Sequence, residues 1–193
     1  MIRYYITDRR QLPQGVRLID AIQRMAEDQT FRSDSLWLQI REKDFSAREL
    51  FSLVGAVRLS TSRLGIKLLV NGRVDVALAA DADGVHLPAD SPEPRLWRKV
   101  VPKGFLIGVS CHSVDEVIAA EQGGADYVLF GPVFAPLSKP SELAPRGLMQ
   151  LTQAAKSAHV PVLALGGITR HNADACFKAG AAGVAAISLF QKS

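Results

Sequence analysis

The 193-residue chain carries 23 Lys and Arg against 19 Asp and Glu, a net charge of +4, with 48% hydrophobic and 22% charged residues. That fits one domain with an aliphatic core and excludes wholesale disorder, and the mild cationic excess suits a small anion but not nucleic acid. No apolar run reaches the ~20 residues of a membrane helix, and Cys111 and Cys176 form no CxxC and imply no disulfide scaffold.

Met1 leads directly into a strand-like run, so no signal peptide is expected and a cytoplasmic setting follows. That run, residues 2–6, is the first of eight. Leu18, Ile22, Met25 and Ala26 then share a helical face. The second run is 36–40, and Ser46 with Glu49 forms a capping-box pattern before Leu50, Leu53, Val54 and Val57. After the third run, 67–70, Asn71 is placed to cap a short helix carrying Val74, Ala77 and Leu78. After the fourth, 84–87, Ser91-Pro92 reads as a cap with Pro at the first helical position. Ser113 to Glu116 repeats the capping box behind the fifth run, 105–111. The remaining runs are 127–134, 161–165 and 183–190, with helical patterns at 148–158 and 172–179.

Most runs are continuously apolar, as in parallel strands buried on both faces. Strand and helix alternating eight times predict a compact (β/α)8 TIM barrel spanning 1–193 as a single α/β domain. The last run ends at Phe190, so a full eighth helix is expected to be missing or replaced. The seam between strands eight and one then needs a cover, either the 18–26 helix or a partner chain, which makes a homodimer one solution.

Barrel ligands sit at the C-terminal strand ends. Gly166-Gly167 ends strand seven, and Ile187-Ser188 ends strand eight. Glycines let backbone N–H groups approach an anion, so these four are the candidate phosphate cradle; a plain tight turn is the alternative. Gln39, Arg41 and Lys43 alternate to one side at the end of strand two and bring two cations and an amide together, unless Glu42 neutralises a neighbour in a solvated loop. His112 follows strand five as a candidate acid/base or a loop support, whereas His86 reads as a core hydrogen-bonding residue. Lys139 lies in the 135–145 loop after strand six, read either as a lid bringing a cation over the ligand or as surface variation.

Several strings, in order, resemble one superfamily. They are Tyr5-Ile6-Thr7-Asp8, Gln39-Ile40-Arg41-Glu42-Lys43, Val70 to Leu78, Asp83-Gly84-Val85-His86-Leu87, Gly108-Val109-Ser110, Tyr127 to Phe134, and Ala164-Leu165-Gly166-Gly167-Ile168. Together they resemble the thiamine phosphate synthases and their sister group, the TenI-type thiazole tautomerases. The resemblance implies a barrel of the thiamine pathway that binds small phosphorylated thiazole or pyrimidine ligands, with neither nucleic acid nor membrane as partner. Synthases join a hydroxymethylpyrimidine pyrophosphate to a thiazole phosphate with Mg²⁺; tautomerases move a proton on a thiazole carboxylate phosphate. By position, the resemblance implies pyrophosphate or substrate contacts at Gln39, Arg41, Lys43, Asn71, Ser110, Ser138 and Lys139, and a thiazole-phosphate cradle at Gly166, Gly167, Ile187 and Ser188.

The chain departs from both branches. Gly72 and Ser91 stand where synthases carry Mg²⁺-binding aspartates, with Asp90 one residue off, and both changes resemble the TenI branch. Pro132 stands where TenI tautomerases carry their acid/base histidine, leaving His112 as the substitute base. The expectation is a TenI-like thiazole-phosphate protein, tautomerase-type or activity-reduced. An active synthase, for which alone Mg²⁺ is expected, and a non-catalytic binder of thiazole or thiamine phosphates are the alternatives.

Overall fold

In the computed structural model, which describes residues 1–27, 35–135 and 143–191, eight strands close into a barrel in chain order. The strands are β1 (Ile2–Ile6), β2 (Ser35–Ile40), β3 (Lys67–Asn71), β4 (Gly84–Leu87), β5 (Leu106–Cys111), β6 (Tyr127–Phe130), β7 (Val162–Leu165) and β8 (Gly183–Ala186). All neighbours are parallel, and β1 pairs with β8 to complete the ring. The helices are α1 (Leu18–Glu27), α2 (Ala47–Arg63), α3 (Val74–Ala79), α4 (Pro94–Trp97), α5 (Val114–Gln122), α6 (Gly147–Ser157), α7 (Ala173–Lys178) and α8 (Ser188–Gln191).

The pairing register separates two cores. Tyr4 lies opposite Trp37 and Ala185, Leu69 opposite Gly84, and Leu129 opposite Leu163. Tyr4, Ile6, Leu69, Tyr127, Leu129, Leu163 and Ala185 therefore fill the barrel interior. The alternate residues, among them Tyr5, Leu38, Ile40, Leu68 and Val70, pack outward against the helices. This double burial is why the runs show no alternation.

Two of the sixth and eighth runs' expected lengths are corrected. β6 stops at Phe130, before Gly131-Pro132, and β8 stops at Ala186; Val133 and Phe190 are apolar because they pack in the outer core, not because the strands continue. Ser46 and Glu49 form the expected capping box. Asn71 does not cap α3: its side-chain oxygen accepts from Gln39, and Arg73 stands at the N-cap. Pro94, not Pro92, opens α4. Glu116 bonds the His112 N–H, so only the Ser113 half of the second capping pattern forms.

The eighth helical segment is a single turn. Phe190 packs on Tyr5 with 5.4 Å between ring centroids and the rings tilted by 36°, and the Gln191 amide donates to the Tyr5 hydroxyl at 3.0 Å and the Asp8 carbonyl at 3.1 Å. Between this turn and α1 lies a cavity of about 370 Å³, lined by residues including Leu12, Val16, Met25 and Phe190. The β1 side of the seam is thus covered by α8, with this cavity separating α8 from α1.

At the opposite end of the barrel from the mouth, carboxylates tie neighbouring strands. Asp83, just before β4, accepts from the Leu68 N–H of β3 at 2.8 Å and from Arg58 of α2 at 2.8 Å. Asp126, just before β6, does the same for Ile107 of β5 and Arg98. Replacing Asp83→Ala strands the amide of Leu68, which is 0% exposed. The expected result is a loss of ~1–3 kcal/mol, read as a lower urea midpoint at unchanged slope.

Candidate functional site

The mouth is built outward from its best-anchored corner. Glu42 is 5% exposed and lies behind β2. Its carboxylate accepts from the Thr7 hydroxyl at 2.8 Å, from the Arg9 N–H and from the Arg9 guanidinium at 3.1 Å. Thr7 in turn accepts from the Arg41 N–H at 2.9 Å. Arg9 also ion-pairs with Asp44 and lies over the Phe45 ring. Glu42 is therefore neutralised by Arg9, a partner the spacing of residues 39–43 does not reveal. Arg41 is left half-buried, with no carboxylate bound to its guanidinium among the described residues. Burial lowers its pKa, opposed by the nearby charges of Asp8 and Glu42 and assisted by Arg10.

Gln39 and Asn71 meet at the strand ends, with the Gln39 amide donating at 2.8 Å. The Gln39 side-chain oxygen is buried and has no donor. Lys43 does not join them on a strand: β2 ends at Ile40, and Lys43 sits exposed in the turn beyond it.

His86 is a core residue, 2% exposed, as its sequence setting indicates. Its Nε2 lies 2.9 Å from Ser110 Oγ and its Nδ1 3.2 Å from the Tyr127 hydroxyl, which is 2.8 Å from the Tyr4 hydroxyl. Burial, helped by the positive charge of Arg41, pushes the His86 pKa down to about 3. Gly108 makes room for this row, since a Cβ there would collide with the Tyr127 ring. Sequence reading passes over Tyr4 and Tyr127 because hydroxyls inside apolar runs look like ordinary core. The signal that was available is that a buried tyrosine needs a hydrogen-bond partner.

Gly166 and Gly167 have φ of 96° and 63°. A Cβ on Gly166 would lie 2.6 Å from Pro132, and one on Gly167 would overlap the Ala135 carbonyl. The β6 loop is held against them by Val133 N–H to Leu165 O at 2.8 Å and Phe134 N–H to Gly166 O at 3.1 Å. The glycine pair thus serves both turn and packing. Among the described residues no protein acceptor takes the N–H groups of Gly167, Ile187 or Ser188.

His112 Nδ1 donates to the Gly131 carbonyl at 2.6 Å, tying the ends of β5 and β6 and leaving Nε2 as the acceptor nitrogen of the neutral ring. Ser138 and Lys139 lie outside the described residues. Mg²⁺ requires several hard oxygens in octahedral array. Among the described residues no three acidic, His or Cys groups converge to hold a metal. Asp90 is exposed in a turn, and the Asn71 oxygen is already engaged by Gln39. The described side chains do not fit a protein-held Mg²⁺.

The chain is a closed (β/α)8 barrel with a half-buried arginine and open backbone amides at its C-terminal mouth, the end where barrels of this class bind their ligands. More narrowly, the chain belongs to the thiamine monophosphate synthase family, which it matches over residues 3–190. It is 42% identical over 188 residues to a thiamine-phosphate synthase of Roseiflexus castenholzii, covering 97% of this chain and 79% of that one. To the thiamine-phosphate synthase of Chlorobium luteolum it is 41% identical over 162 residues, 84% of this chain and 76% of the relative. The solved thiamine phosphate pyrophosphorylase from Pyrococcus furiosus superposes with a TM-score of 0.83 at 32% identity, covering 98% of this chain and 87% of that one. No helix among the described residues is long and apolar enough to cross a membrane.

The His86 environment sets a pH response. A free imidazole titrates near 6.5 and the buried one near 3, so between these values the unfolded chain binds a proton that the folded chain refuses. Stability should fall as pH drops through this window, by at most ~1.4 kcal/mol per pH unit from this group. Urea melts at pH 7, 5.5 and 4.5 should show that part of the slope missing in His86→Gln.

Proposed function

We propose that the chain acts as a thiamine-phosphate synthase, coupling a hydroxymethylpyrimidine pyrophosphate to a thiazole phosphate. The observation that carries this reading is Arg41, half-buried at the mouth with no carboxylate bound to its guanidinium among the described residues, while Glu42 is bonded by Arg9. Desolvating a cation without a partner is costly unless a ligand supplies the counter-charge. The names of the relatives at 41–42% identity support the same reading.

In this reading the pyrimidine methylene carbon loses its bond to the pyrophosphate oxygen, and the bonding pair leaves with that oxygen. The thiazole nitrogen then donates its lone pair to the cationic carbon. Negative charge grows on the departing pyrophosphate, where Arg41 offers a planar fork of donors and Gln39, Asn71 and Ser110 supply polar groups at the strand ends, with Lys43 in the exposed turn beyond β2 adding a more distant charge. Ser138 and Lys139 are assigned to the same group by position. The open amides of Gly167, Ile187 and Ser188, beside Gly166, hold the thiazole phosphate away from the leaving group. No step is assigned to a protein-bound metal; Mg²⁺ enters the assay as a counter-ion of the pyrophosphate.

The TenI-like reading retains one specific support, the absence of carboxylates at Gly72 and Ser91. Against it stands Pro132 at the proton-transfer position and a His112 ring already tied to Gly131. Incubating the purified chain with both substrates and Mg²⁺ decides between them. Thiamine phosphate is expected, and Arg41→Ala should slow its formation ~10²-fold or more, with Arg41→Lys only partly restoring it. Proton exchange on a thiazole carboxylate phosphate, without coupling, would overturn the synthase reading.

A further inference from the structure

The row Tyr4, Tyr127, His86, Ser110 is left unexplained by the arginine and the open amides. It runs from the middle of the barrel to the end of β5, with Tyr4 and Tyr127 each 0% exposed and Ser110 half-buried at the mouth. Its three contacts of 2.8, 3.2 and 2.9 Å join groups on β1, β6, β4 and β5. Each hydroxyl brings one proton, and a neutral imidazole brings one more. Four protons serve three contacts, so one must point out of the row.

Three arrangements satisfy all three contacts. In one, Tyr127 accepts from both Tyr4 and His86 Nδ1–H, and its own proton is then unmatched in the closed interior, which is disfavoured. Running inward, Ser110 donates to His86 Nε2, His86 Nδ1–H to Tyr127, and Tyr127 to Tyr4. The Tyr4 proton is then left in the closed interior, where no acceptor other than Tyr127 is found among the described residues. An unsatisfied buried donor is strongly disfavoured. Running outward, Tyr4 donates to Tyr127, Tyr127 to His86 Nδ1, and His86 Nε2–H to Ser110. The spare proton is then the Ser110 hydroxyl's, at the mouth, where solvent or ligand accepts it.

We propose that this row is polarised outward, so that Ser110 is a committed hydrogen-bond donor to an anionic oxygen at the mouth, with Tyr127 and His86 as the positioning residues that orient its proton. The low His86 pKa keeps the ring neutral and the count intact near neutral pH. Because Ser110 already accepts from His86, its own O–H is the stronger donor. The polarity follows from the row alone; that the anion is a pyrophosphate rests on the synthase reading above.

Long-range 1H–15N spectra of the full chain with 15N-labelled histidine, assigned with His86→Gln, read the direction without any activity. The expected signature is a protonated Nε2 and a bare, acceptor-type Nδ1 that does not titrate between pH 5 and 8. An Nδ1–H ring, or an averaged pair of tautomers, overturns the proposal. Tyr4→Phe should keep the Nε2–H form, because Tyr127 can still donate to His86, whereas Tyr127→Phe removes the donor to Nδ1 and should weaken the preference for one tautomer. Should Tyr127→Phe fail to fold, the wild-type and Tyr4→Phe spectra still decide.

Calorimetric titration with inorganic pyrophosphate tests the final donor. Ser110→Ala and Tyr127→Phe should each weaken binding about tenfold, Tyr4→Phe less than about twofold, and Ser110→Thr should restore it. A Tyr127→Phe protein that binds like wild type while Ser110→Ala is weakened overturns the positioning role. Absence of pyrophosphate binding by the wild type sinks the synthase reading and the anion-donor role together, and the tautomer still reports on the row itself.

Discussion

The pairing of β1 with β8 is the constraint on which the rest of the molecule depends. Once the ring is closed, every strand must commit one set of alternate side chains to the interior and the other to the helices, and a slip of one residue would exchange them. Closure also brings eight strand ends around one mouth, so residues 39, 71, 110, 167 and 187, remote in the chain, become neighbours in one region. On the outside of the seam, Tyr5, Phe190 and Gln191 hold the one-turn α8 against β1. A single turn suffices there because its two buried residues reach the strand directly.

Much of the fold was legible because parallel strands covered on both faces leave uninterrupted apolar runs, and each of the eight runs overlaps a strand. The two errors of strand length share one cause. Val133 and Phe190 are apolar for the same packing reasons as strand residues, so hydropathy cannot mark where hydrogen-bonded pairing ends. The cap assigned to Asn71 failed because a side chain from β2 competes for its oxygen, a contact 32 residues away in the chain. At the site, Gln39 and Asn71 were legible from strand-end placement. The isolation of Arg41 was not, because it depends on Arg9 reaching Glu42 across 33 residues.

The reading of chemistry shifts once relatives are compared. Taken alone, the two missing carboxylates weigh toward the tautomerase branch, since Mg²⁺ cannot be held by a glycine and a serine. The relatives at 41–42% identity carry the synthase name, and the Gly131-Pro132 junction offers no proton-transfer group where the tautomerase needs one. What loses the carboxylates keeps the cation.

Inside a barrel of low dielectric, a row of hydrogen bonds has a direction, set by whichever end cannot leave a proton unmatched. Here the closed end is Tyr4, surrounded by Trp37, His86 and Tyr127, and the open end is Ser110. The direction therefore follows from burial, and burial follows from closure of the sheet. Gly108 belongs to the same logic, because any side chain at that position would expel the Tyr127 ring and cut the row in its middle. A core that looks like packing in the sequence thus orients a proton at the surface where charge is handled. That links the deepest layer of the fold to the chemistry at its rim.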